Sequence, residues 1–554
     1  VPVVPGYTGE DQSPGLLQRE ADAIGYPLMI KAAHGGGGKG MRIVRDSAEF
    51  LPNLESCQRE ARNAFGRDRV LLERYVEKPR HIEIQIFGDA HGGVIHLNER
   101  ECSAQRRYQK VLEESPSQFL TPELREAMGA AAVQAGHAID YQNAGTVEFI
   151  VGQDGRFYFM EINTRLQVEH PVTEYVAGLD LVEWQLRVAA GERLPKAQHE
   201  IAQHGHAIEV RLYAEDPEAG FLPGSGKLTR LRLPATDAHT RIDGGVIEGD
   251  TVSIFYDPMI AKLIVWDEDR PRALARLRDA LAHCVIDGPK SNVAFLERLI
   301  RHPSVVDATI DTGTLDRDLD AFMPKPANPR RVRDARIAAA TALMLIEEAQ
   351  TLASATISSD PTSPWAIADG WRLGHAGHRR LVIDDGSERH TVIAHGTKGD
   401  YRFEDADGTV EVQGARLADA TLFARFDGEG RRLRADVHGA SIEDGPHAFA
   451  SVDVHDGERR WRFARVPAYQ PASEQSDAAG DRTRAPMPGR IVLIKTQVGD
   501  RVEHGQEILV MEAMKMELAL KAPCSGIVAE IRVAVGDFVE ADIPLVIVAL
   551  GAEA

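Results

Sequence analysis

Lys515 lies between two methionines in the run Val510-Met511-Glu512-Ala513-Met514-Lys515-Met516-Glu517, and that run sits between two copies of one short pattern. The first copy reads Gly489-Arg490-Ile491-Val492 and then Val498-Gly499-Asp500; the second reads Gly526-Ile527-Val528 and then Val535-Gly536-Asp537. Both anchors recur 37 residues apart. β-Branched stretches broken by Gly-Asp turns predict two interlocked hairpin units with Lys515 at an exposed tip. A primary amine there is a handle for covalent attachment. Ile508, Val510 and Leu518 are expected to root the strands, with the methionines as soft, adaptable groups at the tip. The plainer alternative is an ordinary surface lysine in a hairpin.

A second group with chemical potential begins at Lys31. Tyr26-Pro27-Leu28-Met29-Ile30-Lys31 reads as a strand, Gly35, Gly36, Gly37, Gly38 and Lys39 follow, and Met41-Arg42-Ile43-Val44 reads as a second strand. A glycine run between strands lets backbone amides close over a phosphate, with Lys31 and Lys39 adding positive charge. The spacing is not that of a Walker loop, and the run alone reads equally as a phosphate lid or a flexible loop.

The third group is acidic. Thr146 to Val151 and Arg156 to Asn163 flank Gln153-Asp154-Gly155, a hairpin turn signal that brings Glu148 and Glu161 close across two strands. Adjacent carboxylates repel unless a cation separates them, and hard oxygen ligands suit Mg²⁺ bridging ATP phosphates. Beyond the turn, Glu161, Asn163, Arg165, Gln167 and Glu169 alternate with Ile162, Thr164, Leu166 and Val168. If the chain stays extended, those five polar side chains share one face. The alternative is a solvated edge strand.

The elements that must position these residues follow from two resemblances. The segment around Lys515 resembles the biotinyl carrier domain of biotin-dependent carboxylases, a flattened β-barrel marked by Ala-Met-Lys-Met; lipoyl domains share that fold with a different tip. Residues 1–325 resemble the biotin carboxylase branch of the ATP-grasp family. The motifs are Ile30-Lys31 with its glycines, Glu73-Arg74-Tyr75-Val76, Pro79-Arg80-His81-Ile82-Glu83, Gln105 to Lys110, and Glu161 to Pro171. This resemblance implies a lid subdomain over 1–76 and a larger α/β subdomain over 77–325. It implies that Lys31, Gly35 to Gly38, Glu73, Val76, His81 and Gln105 surround ATP. Glu148 and Glu161, with Asn163, would hold Mg²⁺ or Mn²⁺; Lys110, Arg165, Gln167 and Val168 would hold bicarbonate, with Glu169 as its base. Arg211 would face the ureido oxygen of biotin, although by itself it reads as a surface partner of Glu209 or Glu215.

The chemistry calls for these residue types. Bicarbonate is a poor nucleophile, so a carboxylate such as Glu169 must take its proton as it attacks the γ-phosphate of ATP. Lys31, Lys110 and the metal supply positioning and charge neutralisation. Two departures from the family pattern stand out. Tyr108 occupies a position where many relatives have histidine, and the chain starts at the lid, so it is expected to lack the family's N-terminal subdomain. A carrier and docking fragment without catalysis is therefore the alternative to an active ligase.

Between these regions, residues 331–350 form an alanine-rich helix candidate with Leu343, Leu345 and Ile346 on its apolar side. Short strands follow to about Val466. One helix and a small β-barrel resemble the domain that docks acyl-CoA carboxylase α subunits onto β subunits, with Ser363-Pro364-Trp365 and Asp369 to Leu373 most like the 3-methylcrotonyl-CoA type. Residues 471–484 read as a flexible linker and 485–551 as the carrier. The whole is a multi-domain α/β plus β architecture. Its implied cofactors are biotin on Lys515, ATP and Mg²⁺ or Mn²⁺, and its implied partners are a carboxyltransferase β subunit and a biotin protein ligase, in a hetero-oligomer. The acyl-CoA would be 3-methylcrotonyl-CoA, with propionyl-, acetyl- or geranyl-CoA as alternatives.

Composition narrows the partners further. The 554 residues carry a formal charge of −20 without a dense Lys/Arg block, which argues against nucleic acid or an anionic membrane. The apolar stretch from Ile543 to Leu550 is far short of the ~20 residues a membrane helix needs. Cys57, Cys102, Cys284 and Cys524 are isolated, as expected of a reducing compartment. The expected location is a bacterial cytoplasm, or the mitochondrial matrix for a eukaryotic chain.

Overall fold

The computed structural model describes residues 1–34, 41–106, 109–253, 255–324, 327–357, 370, 371, 373, 377–439, 451–466, 482–513, 516–540 and 543–550. They form two compact units, 1–252 with 258–323, and 253–257 with 324–554. No helix among the described residues is long and apolar enough to cross a membrane.

The first unit opens with a four-stranded antiparallel sheet. Its strands β1 (Gly6–Tyr7), β2 (Leu28–Ala32), β3 (Met41–Val44) and β4 (Val70–Arg74) run in the order β1-β4-β2-β3. Helices α1 (Pro14–Ile24) and α2 (Phe50–Phe65) pack on it. Phe50, Leu54, Cys57 and Ala61 recur at helical spacing and give α2 one buried stripe, and Gly66 ends the helix at a φ of 70°. Leu28 and Ile30 of β2 point into this core, which leaves Lys31 on the opposite face.

A second, eight-stranded antiparallel sheet carries most of the candidate residues. Its strands are β5 (Arg80–Gly88), β6 (Val94–Arg106), β7 (Gln109–Ser115), β8 (Asn143–Val151), β9 (Phe157–Asn163), β10 (His206–Tyr213), β11 (Thr240–Gly244) and β12 (Met259–Asp267). Their order is β11-β12-β10-β7-β6-β5-β8-β9. Every residue of β5 is buried, so both faces of the sheet are covered. Ile82, Ile84 and Ile86 meet helix α3 (Pro122–Ala138), and Ile208, Val210 and Leu212 face the core shared with the helix Arg270–His283. By the two-residue period, His81, Glu83, Gln85, Glu209 and Arg211 project from the other face, toward helix α4 (His170–Ala177).

In the second unit, the predicted helix over 331–350 is longer, Pro329–Ile357, and has no single apolar side. Residues 335–344 are buried without interruption. The reason is the closed eight-stranded barrel between Arg379 and Arg465, whose inward residues share one core with the helix. A helix enclosed on all sides must be apolar all round, and small alanines let the wall approach. Arg336, 4% exposed, is offset by Asp405 at 2.9 Å and Asp407 at 2.7 Å.

The carrier segment forms two four-stranded sheets that follow the sequence repeat. Gly489–Ile494 and Gly526–Ile531 have identical burial patterns. Gly499 donates to Val528 and Gly536 donates to Ile491, each at 2.8 Å, so each Gly-Asp turn closes on the other copy's strand. Both glycines sit at a φ of 99°. Two expectations shift. Arg482–Arg484, inside the stretch read as a linker, is a strand paired with Pro544–Leu550. A register irregularity near Glu507 also turns Leu509 and Met511 into the core beside Ile508, leaving Val510 and Leu518 half-buried. Strands Glu507–Ala513 and Met516–Lys521 pair through Ala513 and Met516. Lys515 itself lies outside the described residues.

Candidate active site

The polar face of the large sheet converges on one ammonium group. Lys110 Nζ donates to Glu83 and Glu169 at 2.6 Å each and to Glu148 at 3.1 Å. The strands β5, β7 and β8 supply Glu83, Lys110 and Glu148, and Glu169 stands at the start of α4. Burial by itself disfavours the charged ammonium, but Glu83 foremost, with Glu169 and Glu148, outweighs it and holds Lys110 well above the usual lysine range. Burial likewise opposes ionisation of Glu83, yet Lys110 and Arg100 bring its carboxyl down to about 2. Glu148 also falls to about 2, against burial, through His81 and Lys110.

Further contacts extend the cluster. His81 Nε2 is 3.1 Å from Glu148, and Gln167 donates to the same carboxylate at 3.0 Å. Arg211 donates from Nε to Glu113 at 2.7 Å and from Nη2 to Glu169 at 3.1 Å. Its partners are therefore neither Glu209 nor Glu215. Val168 contributes its carbonyl, which accepts from Lys262 at 2.6 Å. Arg165 donates to Gln167 at 2.7 Å.

The reading of 161–169 as one extended strand is overturned. Strand β9 ends at Asn163, and Glu169 has φ −82° and ψ 9°. Pro171 at the first turn of α4 and the hydrogen bond from His170 N to Gln167 O bend the chain there. That bend, rather than strand alternation, carries Gln167 and Glu169 inward to Glu148 and Lys110.

Glu148 and Glu161 are register partners on β8 and β9. Glu161 is exposed and accepts only a 3.5 Å bond from Asn163 Nδ2, and no cation pairs with it among the described residues. Two carboxylates and an amide oxygen form a hard donor set that fits Mg²⁺. His81, Glu83 and Glu148 also bring ligand atoms within 4.8 Å of one another, but Lys110 already neutralises that group.

On the lid, Lys31 forms an ion pair with Glu73. Val76 is half-buried between β4 and β5, and Gln105 of β6 is buried opposite Lys110 of β7. Gly35, Gly36, Gly37, Gly38, Lys39 and Tyr108 lie outside the described residues.

Several buried participants carry no assignment from the motifs. Glu83 and Glu113 hold Lys110 and Arg211, and Arg100, fully buried, donates to Glu83 at 2.6 Å, Gln85 at 2.8 Å and Thr173 at 3.0 Å. A usable signal was present in β5, where His81, Glu83 and Gln85 alternate with three isoleucines. Glu209 carries the same signal, alternating with Ile208 and Val210, whereas Glu113, followed by Glu114, does not.

Residues 1–197 match the family of the carbamoyl-phosphate synthase L chain ATP binding domain, and 209–317 match the biotin carboxylase C-terminal domain. Residues 333–468 match the BT domain of the methylcrotonyl-CoA carboxylase alpha-subunit, and 481–548 match the family "Biotin-requiring enzyme". The chain is 42% identical over 552 residues to the mitochondrial methylcrotonoyl-CoA carboxylase subunit alpha of Dictyostelium discoideum, covering 98% of this chain and 76% of that protein. Identity to the propionyl-CoA carboxylase alpha chain of Ruegeria pomeroyi is 39% over 572 residues, covering 98% of this chain and 80% of that one. Among solved structures, the biotin carboxylase domain of Hydrogenobacter thermophilus 2-oxoglutarate carboxylase, in complex with MgADP, ADP and bicarbonate, aligns with a TM-score of 0.56 and 44% identity. That alignment covers 59% of this chain and 72% of the other. The chain thus belongs to the methylcrotonoyl-CoA carboxylase α-subunit family, biotin-dependent ligases with an ATP-grasp carboxylase core.

Proposed function

We propose that the cluster around Lys110 is the bicarbonate and γ-phosphate end of an ATP-dependent site that carboxylates biotin held on Lys515, for transfer to an acyl-CoA on a separate β subunit. The observation that carries this reading is the convergence of Glu83, Glu148 and Glu169 on Lys110, with Arg211 on the far side of Glu169. The MgADP and bicarbonate bound by the similar H. thermophilus domain support it. The match of residues 333–468 to the BT domain of the methylcrotonyl-CoA carboxylase alpha-subunit, with 42% identity to the D. discoideum subunit against 39% to the R. pomeroyi chain, favours 3-methylcrotonyl-CoA as acceptor.

In this mechanism Glu169 is the base. Lys110 and Arg211 both touch it and hold it in place to take the bicarbonate proton as the oxygen attacks the γ-phosphate. Lys110 is then the charge nearest the transferred phosphoryl group, and its three carboxylates keep it protonated and fixed before substrate arrives. Arg165, Gln167 and Val168 orient bicarbonate, and Lys31, Glu73, Val76, His81, Gln105 and the Gly35 to Gly38 run bind the nucleotide. Glu148, Glu161 and Asn163 would hold Mg²⁺ or Mn²⁺, which supplies phosphate charge neutralisation. Biotin on Lys515 would supply the ureido nitrogen for the carboxyl group, with phosphate leaving the carboxyl and taking the ureido N–H proton. Arg211 would hold the ureido oxygen with its guanidinium and offset negative charge there.

The barrel and its enclosed helix are the docking element for the β subunit, and a biotin protein ligase is the partner for Lys515. The mitochondrial names of the eukaryotic relatives favour the matrix for a eukaryotic chain. The test is ADP release by the full chain with Mg-ATP and free biotin, with and without bicarbonate. Bicarbonate-dependent release is expected, and Lys110→Ala should reduce it about 100-fold or more. Equal release without bicarbonate would overturn the reading.

A further inference from the structure

Two buried carboxyl groups beside Arg211 have oxygens that no donor reaches. Glu209 is fully buried, and neither of its oxygens has a hydrogen-bond partner. Glu113 is fully buried as well; one oxygen accepts from Arg211, and Oε2 has no partner. The two residues are direct register partners on β7 and β10, so their side chains leave the same face about 5 Å apart at Cβ. An uncompensated ionised pair at that spacing, out of water, is strongly disfavoured.

The neighbouring cations are already committed. On β7, Lys110 serves Glu83, Glu148 and Glu169. On β10, Arg211 serves Glu113 and Glu169. On β12, Lys262 is 4.0 Å from Glu209 but lies 3.2 Å from Asp243 of β11 and 2.6 Å from Val168 O. Arg241 of β11 binds Glu174 and Asp243, and His170 of α4 has Nδ1 on Gln167 O at 2.7 Å. Of the three orphan oxygens, a proton between the two carboxyls satisfies Glu113 Oε2 and one oxygen of Glu209.

We propose that Glu113 and Glu209 hold a single shared proton, and that this pair is a positioning device that fixes Arg211 against Glu169. The inference rests on the reading of Arg211 as the residue that meets biotin. With the proton on the pair, Glu113 presents one negative charge to Nε and Nη2 of Arg211, each 2.7 Å from its Oε1, and Nη2 still reaches Glu169 at 3.1 Å. A second charge would compete with Glu169 for the guanidinium. Burial, with Arg211 opposing, raises Glu113 above the ordinary carboxyl range, and burial, with Glu113 adding to it, raises Glu209.

The test combines infrared difference spectra and kinetics on the full chain. At neutral pH, parent minus Glu209→Gln and parent minus Glu113→Gln should each show the carbonyl band of a protonated carboxylic acid. Absence of that band from both difference spectra would overturn the shared proton. Glu209→Gln keeps a neutral donor and should retain biotin-dependent ADP release within about threefold, whereas Glu209→Ala should lose about tenfold or more with biotin. Bicarbonate-dependent ATP cleavage without biotin should fall by less than biotin-dependent release in Glu209→Ala, because Lys110 still holds Glu169. Equal loss of both activities would reduce Glu209 to a structural role and overturn the positioning claim. Arg211→Ala is the separate control: undiminished biotin-dependent turnover there would refute the reading of Arg211, while the infrared band still decides the proton.

Discussion

Glu148 and Glu161 stand opposite one another on adjacent antiparallel strands, yet the first is 4% exposed and tied to Lys110, Gln167 and His81, while the second faces solvent. The two halves of the proposed metal site therefore carry different loads. Glu161→Gln should weaken Mg-ATP binding about tenfold or more without moving the unfolding midpoint. Glu148→Gln should weaken binding as much and also destabilise by about 1–3 kcal/mol, because its replacement disturbs a buried network. Titration calorimetry and urea unfolding on both variants check this. Equal stability loss in both would contradict the division.

Lys110→Met tests the centre of the cluster. Removing the ammonium leaves Glu83, Glu148 and Glu169 without their shared cation, a loss of about 3–5 kcal/mol at neutral pH. The sign with pH follows from the lowered carboxyls. Glu83 and Glu148 titrate at about 2 in the folded chain, so their stabilisation is full above the ordinary glutamate range and is lost as pH falls toward 2. The parent should therefore lose stability on acidification more steeply than the variant, and the gap between them should narrow from pH ~7 to pH ~3. A constant gap in urea midpoints would assign Lys110 a packing role.

Much of this arrangement was legible because local patterns matched the global fold. The 37-residue repeat anticipated two interlocked units, and the turn at Gln153-Asp154-Gly155 anticipated the pairing of Glu148 with Glu161. Elsewhere tertiary context overrode local pattern. Alternation from Glu161 to Glu169 looks like a strand, but Pro171 starts a helix that bends the approach. The enclosed helix looks amphipathic only if one assumes a solvent side, which the barrel removes. Glu209 was legible only as a surface partner of Arg211, and Glu113 not at all, because their pairing comes from facing each other across β7 and β10, strands separated by ninety residues of chain.

Lys515→Ala should abolish biotin labelling and leave folding unchanged. The strands on either side pair through Ala513 and Met516, and the core beneath them comes from Ile508, Leu509 and Met511, none of which the substitution alters. Intact mass after incubation with a biotin protein ligase, biotin and ATP reads the outcome directly. Persistent labelling would move the attachment point to another lysine and sink the carrier assignment.

The enclosed helix makes the last prediction. Ala338 is fully buried within the barrel core, whereas Ala353, four turns further on, is exposed. Leucine has nearly alanine's helix propensity, so the two substitutions to leucine differ almost entirely in packing. Ala338→Leu forces extra methylenes against the barrel wall and should cost about 1–3 kcal/mol or more, while Ala353→Leu should stay within about 0.5 kcal/mol of the parent. Hydrogen exchange across the barrel strands between Arg379 and Arg465 locates the effect. Because the proposed docking element is this barrel, Ala338→Leu should also weaken capture of the β subunit while leaving biotin labelling of Lys515 intact. Two leucine variants with the same exchange profile would show that the wall yields to the larger side chain, and the helix would then be a loosely held core rather than a rigid strut for docking.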